Sequence, residues 1–303
     1  MNNIILIFIC LVAGNLLVRF GILHKEGYKV LNNIIIYICL PALAILYIPQ
    51  IKLTGEMSFP ISVMWIVFLS SILFFVVLQN IFKWDKKTTG TLIMTAGLCN
   101  SAFIGFPVLL AFFGEEGLKI GVIIDQAGSF IVLATGGVIT CSIASKGQFS
   151  IKKIVKDIII YPPFAGFLIG LIINLSGVPV HPVINEILQK LGSVMIILAL
   201  ISVGMQLKFQ GLNIHIKSLI IGLSYKLLIA PLIVFILFYL IFKGNSLIVD
   251  VSLIESAMPP MVMGAVMAVS YELNSELANM MVGLGIPLSF FTIALWYYIT
   301  TLF

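Results

Sequence analysis

Long runs of Ile, Leu, Val and Phe fill this chain, parted only by short clusters of charge, proline and glycine. A membrane β-barrel would show short alternating segments instead, so the continuous runs predict helices apolar enough to cross a bilayer. Breaks at the polar clusters divide the sequence into ten candidate spans, at about 3–23, 30–49, 60–82, 90–112, 118–144, 158–177, 186–207, 217–242, 250–270 and 278–302. The loops between them are short. The longest, 145–157, carries Lys146, Lys152, Lys153 and Lys156 and leaves no room for a soluble domain. The first run lacks a basic leader and is too long for the apolar core of a signal peptide, so it reads as a retained helix.

Composition sharpens this to an all-α integral membrane protein. Hydrophobic residues make up 61% of the chain and charged residues 10%, and a soluble globule has no way to hide so much apolar surface. The net charge of +5 sits in short loops, where it orients the chain rather than binding nucleic acid. Odd-numbered loops and their flanks hold Arg19, Lys25, Lys29, Lys83, Lys86, Lys87, Lys146, Lys152, Lys153, Lys156, Lys208 and Lys217. Even-numbered loops hold Lys52, Lys119, Lys190 and Lys243. That bias predicts cytoplasmic odd loops and both termini outside.

Five spans on each side of the basic central loop have a topological consequence. A unit with an odd number of helices, repeated in tandem, inserts the second time upside down. The sequence therefore predicts two inverted five-helix repeats, 1–146 and 147–303, within one membrane domain. Gly128-Ser129-Phe130 in span five and Leu288-Ser289-Phe290 in span ten echo this symmetry.

Spans four and nine are poor helices, and they occupy matching places in the two halves. Span four contains Asn100, Ser101, Gly105 and Pro107; span nine contains Pro259 and Pro260. Proline removes a backbone donor and crowds the preceding turn, so both stretches should kink or unwind. Unwound backbone at membrane depth needs burial or water, and paired interruptions in two halves point to a transport site. The plainer alternative is a pair of ordinary proline kinks with close-packing glycines.

Three ionisable residues fall within spans, where each costs about 2.5–3.5 kcal/mol at a helix centre. Asp125 lies roughly 10 Å from the outer end of span five; beside Gln126, it is a candidate carrier of a proton or sodium ion, or else a structural carboxylate. Lys226 lies roughly 13 Å from the cytoplasmic end of span eight. It either snorkels to the interface or neutralises a carbonyl-rich break or a carboxylate at the crossing. Glu255 stands roughly 7 Å into span nine, near the interface, four residues before Pro259. Cys10, Cys39, Cys99 and Cys141 read as small hydrophobes. No His or Glu pair at metal-binding spacing sits within a span and no Walker sequence occurs, so no catalytic residue, cofactor or metal is expected.

These segments resemble, in order along nearly the whole chain, the auxin efflux carrier family related to plant PIN-type carriers. The resemblance rests on Cys39-Leu40-Pro41-Ala42, Asn100 to Pro107, Asp125-Gln126-Ala127-Gly128, Ser202 to Leu207 and Ala257-Met258-Pro259-Pro260. It implies a fold similar to sodium–proton antiporters and bile-acid symporters, with spans four and nine crossing near the midplane and a scaffold part and a transport part moving relative to each other. It also implies a homodimer and an organic-anion substrate such as a carboxylate. The long central loop of many plant relatives is absent. The resulting expectation is a plasma-membrane secondary transporter of small organic anions, working by alternating access and either coupled to a proton or sodium gradient or running as electrogenic export. Asn100, Ser101, Gly105, Pro107, Pro259, Pro260 and Pro41 would shape its site, and Asp125, Gln126, Lys226 and Glu255 would set its charge. A non-transporting membrane sensor or scaffold with a transporter-like fold is the alternative.

Overall fold

The computed structural model describes residues 2–52, 54–145, 147, 150–207 and 215–303, apart from the side chains of residues 2–4. Lys146 and Lys208, counted above among the orienting lysines, lie outside the described residues. Among the described residues the secondary structure is helical, with no strand beyond one isolated bridge. In chain order the helical runs are α1 (Asn2–Arg19), α2 (Tyr28–Gln50), α3 (Gly55–Phe82), α4 (Lys86–Ala96) and α5 (Ser101–Ser145). They continue as α6 (Ile151–Ile160), α7 (Pro162–Ser176), α8 (Pro182–Gln206), α9 (Ile216–Ile241), α10 (Leu247–Ser256), α11 (Val262–Ser270) and α12 (Ser275–Thr300).

Six of these, α2, α3, α5, α8, α9 and α12, are long and apolar enough to cross a bilayer; the pair α6 and α7, bent by 68°, makes a seventh if taken as one span. Three of the others are short for a physical reason. The interruptions leave α4, α10 and α11 with 11, 10 and 9 residues, and at 1.5 Å per residue none of them alone covers a hydrocarbon core of about 30 Å. Run α5 is instead 45 residues long. It turns at Gly114, whose φ of 66° and ψ of −159° suit a residue without a Cβ.

Prolines shape several runs from within. A wide π-helical turn lies just before Pro41 (Ile35–Cys39), Pro107 (Ser101–Gly105) and Pro231 (Tyr225–Ile229), as expected where a ring displaces the carbonyl four residues back. At Pro231 that carbonyl belongs to Leu227, and the Trp296 indole N–H of α12 donates to it at 3.0 Å.

The chain forms two compact units, each drawing on both halves of the sequence. The first comprises Met1–Gly55, Ala102–Gln126 and Val155–Leu207; the second comprises Glu56–Ser101, Ala127–Ile154 and Lys208–Phe303. In the first unit α1 and α8 approach backbone to backbone. A Cβ on Gly14 would stand 2.2 Å from the Ile201 carbonyl oxygen, and one on Gly204 would stand 2.2 Å from that of Leu11. Small residues allow such approach where lipid offers no hydrophobic drive between helices. Helix α7 docks on α2 in the same manner, and Asn174 of α7 donates to the carbonyls of Ile48 at 2.9 Å and Ile51 at 2.8 Å. The second unit is built from α3, α4, the far end of α5 and α9 to α12. There Tyr225 of α9 ties itself to α3, its hydroxyl donating to Val67 O at 2.8 Å and meeting Ser70 Oγ at 2.7 Å. The outer face of α3 leaves Leu69, Leu73 and Ile81 exposed, a surface suited to acyl chains.

Candidate functional site

In the second unit two helices stop in mid-course. Helix α4 gives way after Ala96 to the unwound segment 97–100, and α10 gives way after Ser256 to 257–261. For α10 the cause is readable: Pro259 and Pro260 bring no N–H to the carbonyls of Glu255 and Ser256. The two loose segments pair with each other. The Asn100 N–H donates to Pro259 O at 3.1 Å, and Cys99 stands opposite Pro260 in a single antiparallel bridge. Two glycines make room for it, since a Cβ on Gly264 would lie 2.3 Å from Met94 O and one on Gly285 would lie 2.5 Å from Pro260 Cδ.

Lys226 reaches this pairing from α9. Its side chain is wholly buried, and Nζ donates to Ser256 O at 3.1 Å and to Cys99 Sγ at 2.8 Å. The ammonium thus replaces the donor that Pro260 withholds. It also stands at the C-terminal end of α10, where the helix dipole favours a cation. Of the two sequence readings, snorkelling to the interface is therefore not what Lys226 does. With these two acceptors among the described residues, one of its three ammonium hydrogens remains uncommitted. Asn100, 2% exposed, has its side-chain Nδ2 without a hydrogen-bond partner among the described residues. Buried donors of this kind await an acceptor. Glu255 is fully buried, and close enough to Cys99 for a Coulombic interaction. Ser101, also buried, meets Ser129 Oγ at 3.0 Å in the same unit.

In the first unit Asp125 lies in the π-helical turn Ile124–Ser129. Its Oδ2 accepts from Gln126 Nε2 at 2.6 Å, and its carboxylate also accepts the Ala102 backbone N–H. Ala102 belongs to the first turn of α5, so the carboxylate occupies the positive end of that helix. Gln126 Oε1 is buried without a hydrogen-bond partner among the described residues. Gly105 closes the wide turn that starts α5, and Pro107 follows it. Pro41 lies on α2, where its backbone faces Gly166 of α7; a Cβ there would come within 2.8 Å of Pro41 Cα.

The structure therefore brings Asn100, Pro259, Pro260 and Lys226 together and holds Asp125 with Gln126. It adds Cys99 and Ser256, which the sequence reading passed over. Ser256 was findable, since it lies four residues before Pro260 and must lose its helical donor. Cys99 carried no such signal, because a thiol inside an apolar run looks like any small hydrophobe.

Comparison with known sequences bears on what such an arrangement serves. A family profile described as membrane transport protein matches residues 1–297. A protein of Methanocaldococcus jannaschii named as an uncharacterized transporter is 30% identical over 98% of this chain and 97% of its own. A second uncharacterized transporter, from Methanothermobacter thermautotrophicus, is 28% identical over 97% of this chain and 96% of its own.

Proposed function

The chain belongs to the membrane transport protein family, that of the auxin efflux carriers, and from that premise we propose that this multi-pass transporter moves small organic anions such as carboxylates by secondary active transport. One observation carries the reading. At the paired breaks, and among the described residues, a fully buried Lys226 retains an uncommitted ammonium hydrogen and Asn100 a partnerless amide donor. An ammonium and an amide in a site closed to water are suited to a carboxylate, because charge-assisted hydrogen bonds are strongest there. Asn100, Ser101, Pro259 and Pro260 shape the site, and Lys226 supplies its charge, with Glu255 next in the chain to its acceptor Ser256. Asp125, supported by Gln126, serves the coupling proton or sodium ion.

Ten crossings in two inverted repeats fit the same elements. Splitting α5 at Gly114, joining α4 to the first part of α5, and joining α10 to α11 recovers two matched broken spans. In this reading spans four and nine cross where Asn100 meets Pro259, both termini face outward at the plasma membrane, and access alternates across that crossing in a homodimer. The test is uptake of labelled monocarboxylates and dicarboxylates into proteoliposomes under imposed pH or sodium gradients. Saturable flux that falls at least tenfold in Asn100→Ala supports the reading. No flux of any anion under either gradient overturns it in favour of a sensor or scaffold.

A further inference from the structure

A groove of about 340 Å³ runs between α3, α4 and the far end of α5 in the second unit. Its walls are apolar, with Trp65, Phe68 and Ile72 on α3 and Ile139 on α5, while Gln79 and Lys86 line it near the turn from α3 to α4. From Trp65 to Gln79 it follows α3 for roughly 21 Å at 1.5 Å per residue, a length on the scale of one bilayer leaflet. Leu69, Val76 and Ile143, which also line it, are 57%, 44% and 61% exposed, so the groove is open along its side.

The charge beside Gln79 and Lys86 is arranged for an anion. Lys86 and Lys87 begin α4, whose first turn holds no acidic residue. Two cations at a helix N-terminus repel the positive end of the dipole. The Asp85 carboxylate already accepts the Thr88 N–H at 2.8 Å, which leaves the N–H groups of Lys86 and Lys87 without an intrahelical acceptor. Among the described residues no carboxylate pairs with Lys86. Nearby, Lys217 lies over the Phe82 ring, 4.1 Å from its centroid, and adds to the positive field.

We propose that this groove binds one anionic phospholipid, an acyl chain lying against Phe68, Ile72 and Ile139 and the phosphate resting on Lys86 and the start of α4. An apolar channel with a lysine and free helical N–H groups beside it matches a molecule with a long chain and a single anionic head. The proposal is independent of the transported substrate.

The delipidated protein in neutral detergent would be titrated with dioleoyl phosphatidylglycerol, dioleoyl phosphatidylcholine or inorganic phosphate, with retained lipid read by native mass spectrometry and stability by thermal melting. Phosphatidylglycerol should be retained in preference to phosphatidylcholine and should raise the melting temperature, while phosphate should neither stabilise the protein nor displace the lipid. Lys86→Gln should weaken phosphatidylglycerol binding about fivefold and leave phosphatidylcholine unaffected. Val76→Trp, at an exposed wall position, should abolish retention of both. Lys152→Gln, an exposed lysine on α6, should change nothing. Equal retention of the two lipids, displacement by millimolar phosphate, an equal loss in Lys152→Gln, or unchanged binding in both groove variants would each overturn the proposal.

Discussion

Lys226 sits where a lone ammonium would be costly, and its surroundings explain why it is tolerated. A carbonyl stripped of its helical donor and a thiol receive two of its hydrogens, so the cation and the broken helix satisfy each other. Lys226→Met keeps the aliphatic stem but removes this donor. The Ser256 carbonyl then loses its ammonium partner, and stability should fall by about 1–3 kcal/mol, with carboxylate flux down more than tenfold. Thermal melting and proteoliposome uptake check the two arms, and undiminished flux would remove Lys226 from the site. Asp125→Asn is the complementary case. Asparagine keeps an oxygen for the Ala102 N–H and a similar volume, so folding should survive while the dependence of flux on an imposed pH gradient disappears. A pH profile identical to that of the wild type sinks the coupling role. Both residues were conspicuous in the sequence because charge is rare in its apolar runs. Their partners were not, since Cys99 and Ala102 acquire meaning only when distant segments meet.

Helices here are joined by what they lack. Gly14 and Gly204 let α1 and α8 touch through their backbones, each glycine facing a carbonyl of the other helix. An alanine at either position places a methyl group 2.2 Å from a carbonyl oxygen, so Gly14→Ala and Gly204→Ala should each destabilise by about 1–3 kcal/mol. Their effects should add to less than the sum, because separating the same two helices relieves both clashes. Melting curves of the single and double variants decide this, and full additivity would count against a shared contact. The proline kinks at this scale were legible from sequence, down to which carbonyl each one frees. The π-helical turn holding Asp125 was not, for no proline follows Ile124–Ser129 within the next helical turn.

For the whole molecule the open question is orientation, and lysine placement supplies the prediction. Both termini should lie outside and the central basic loop inside. All four native cysteines are buried, so the wild type offers little background to a membrane-impermeant maleimide. Phe303→Cys should label on intact cells, whereas Ser150→Cys should label only after permeabilisation. The reverse pattern would invert the topology and with it the sidedness proposed for Asp125. The compact units belong to this scale too. Each gathers segments from both sequence halves.

The sequence by itself determined that the chain is helical and built for a bilayer. An apolar content of 61% leaves no soluble alternative, and the missing N–H groups of Pro259 and Pro260 mark a place where helical hydrogen bonding must lapse. It also singled out Asp125, Lys226 and Glu255, because ionised groups are costly in hydrocarbon wherever they stand. Only the tertiary structure decided what those breaks and charges do for one another. Asn100 meets Pro259 across 159 positions of chain, and Lys226 finds Ser256 and Cys99. Hydrogen bonds are short-ranged and directional, so such partners are set by how helices pack rather than by any local pattern in the residues that make them.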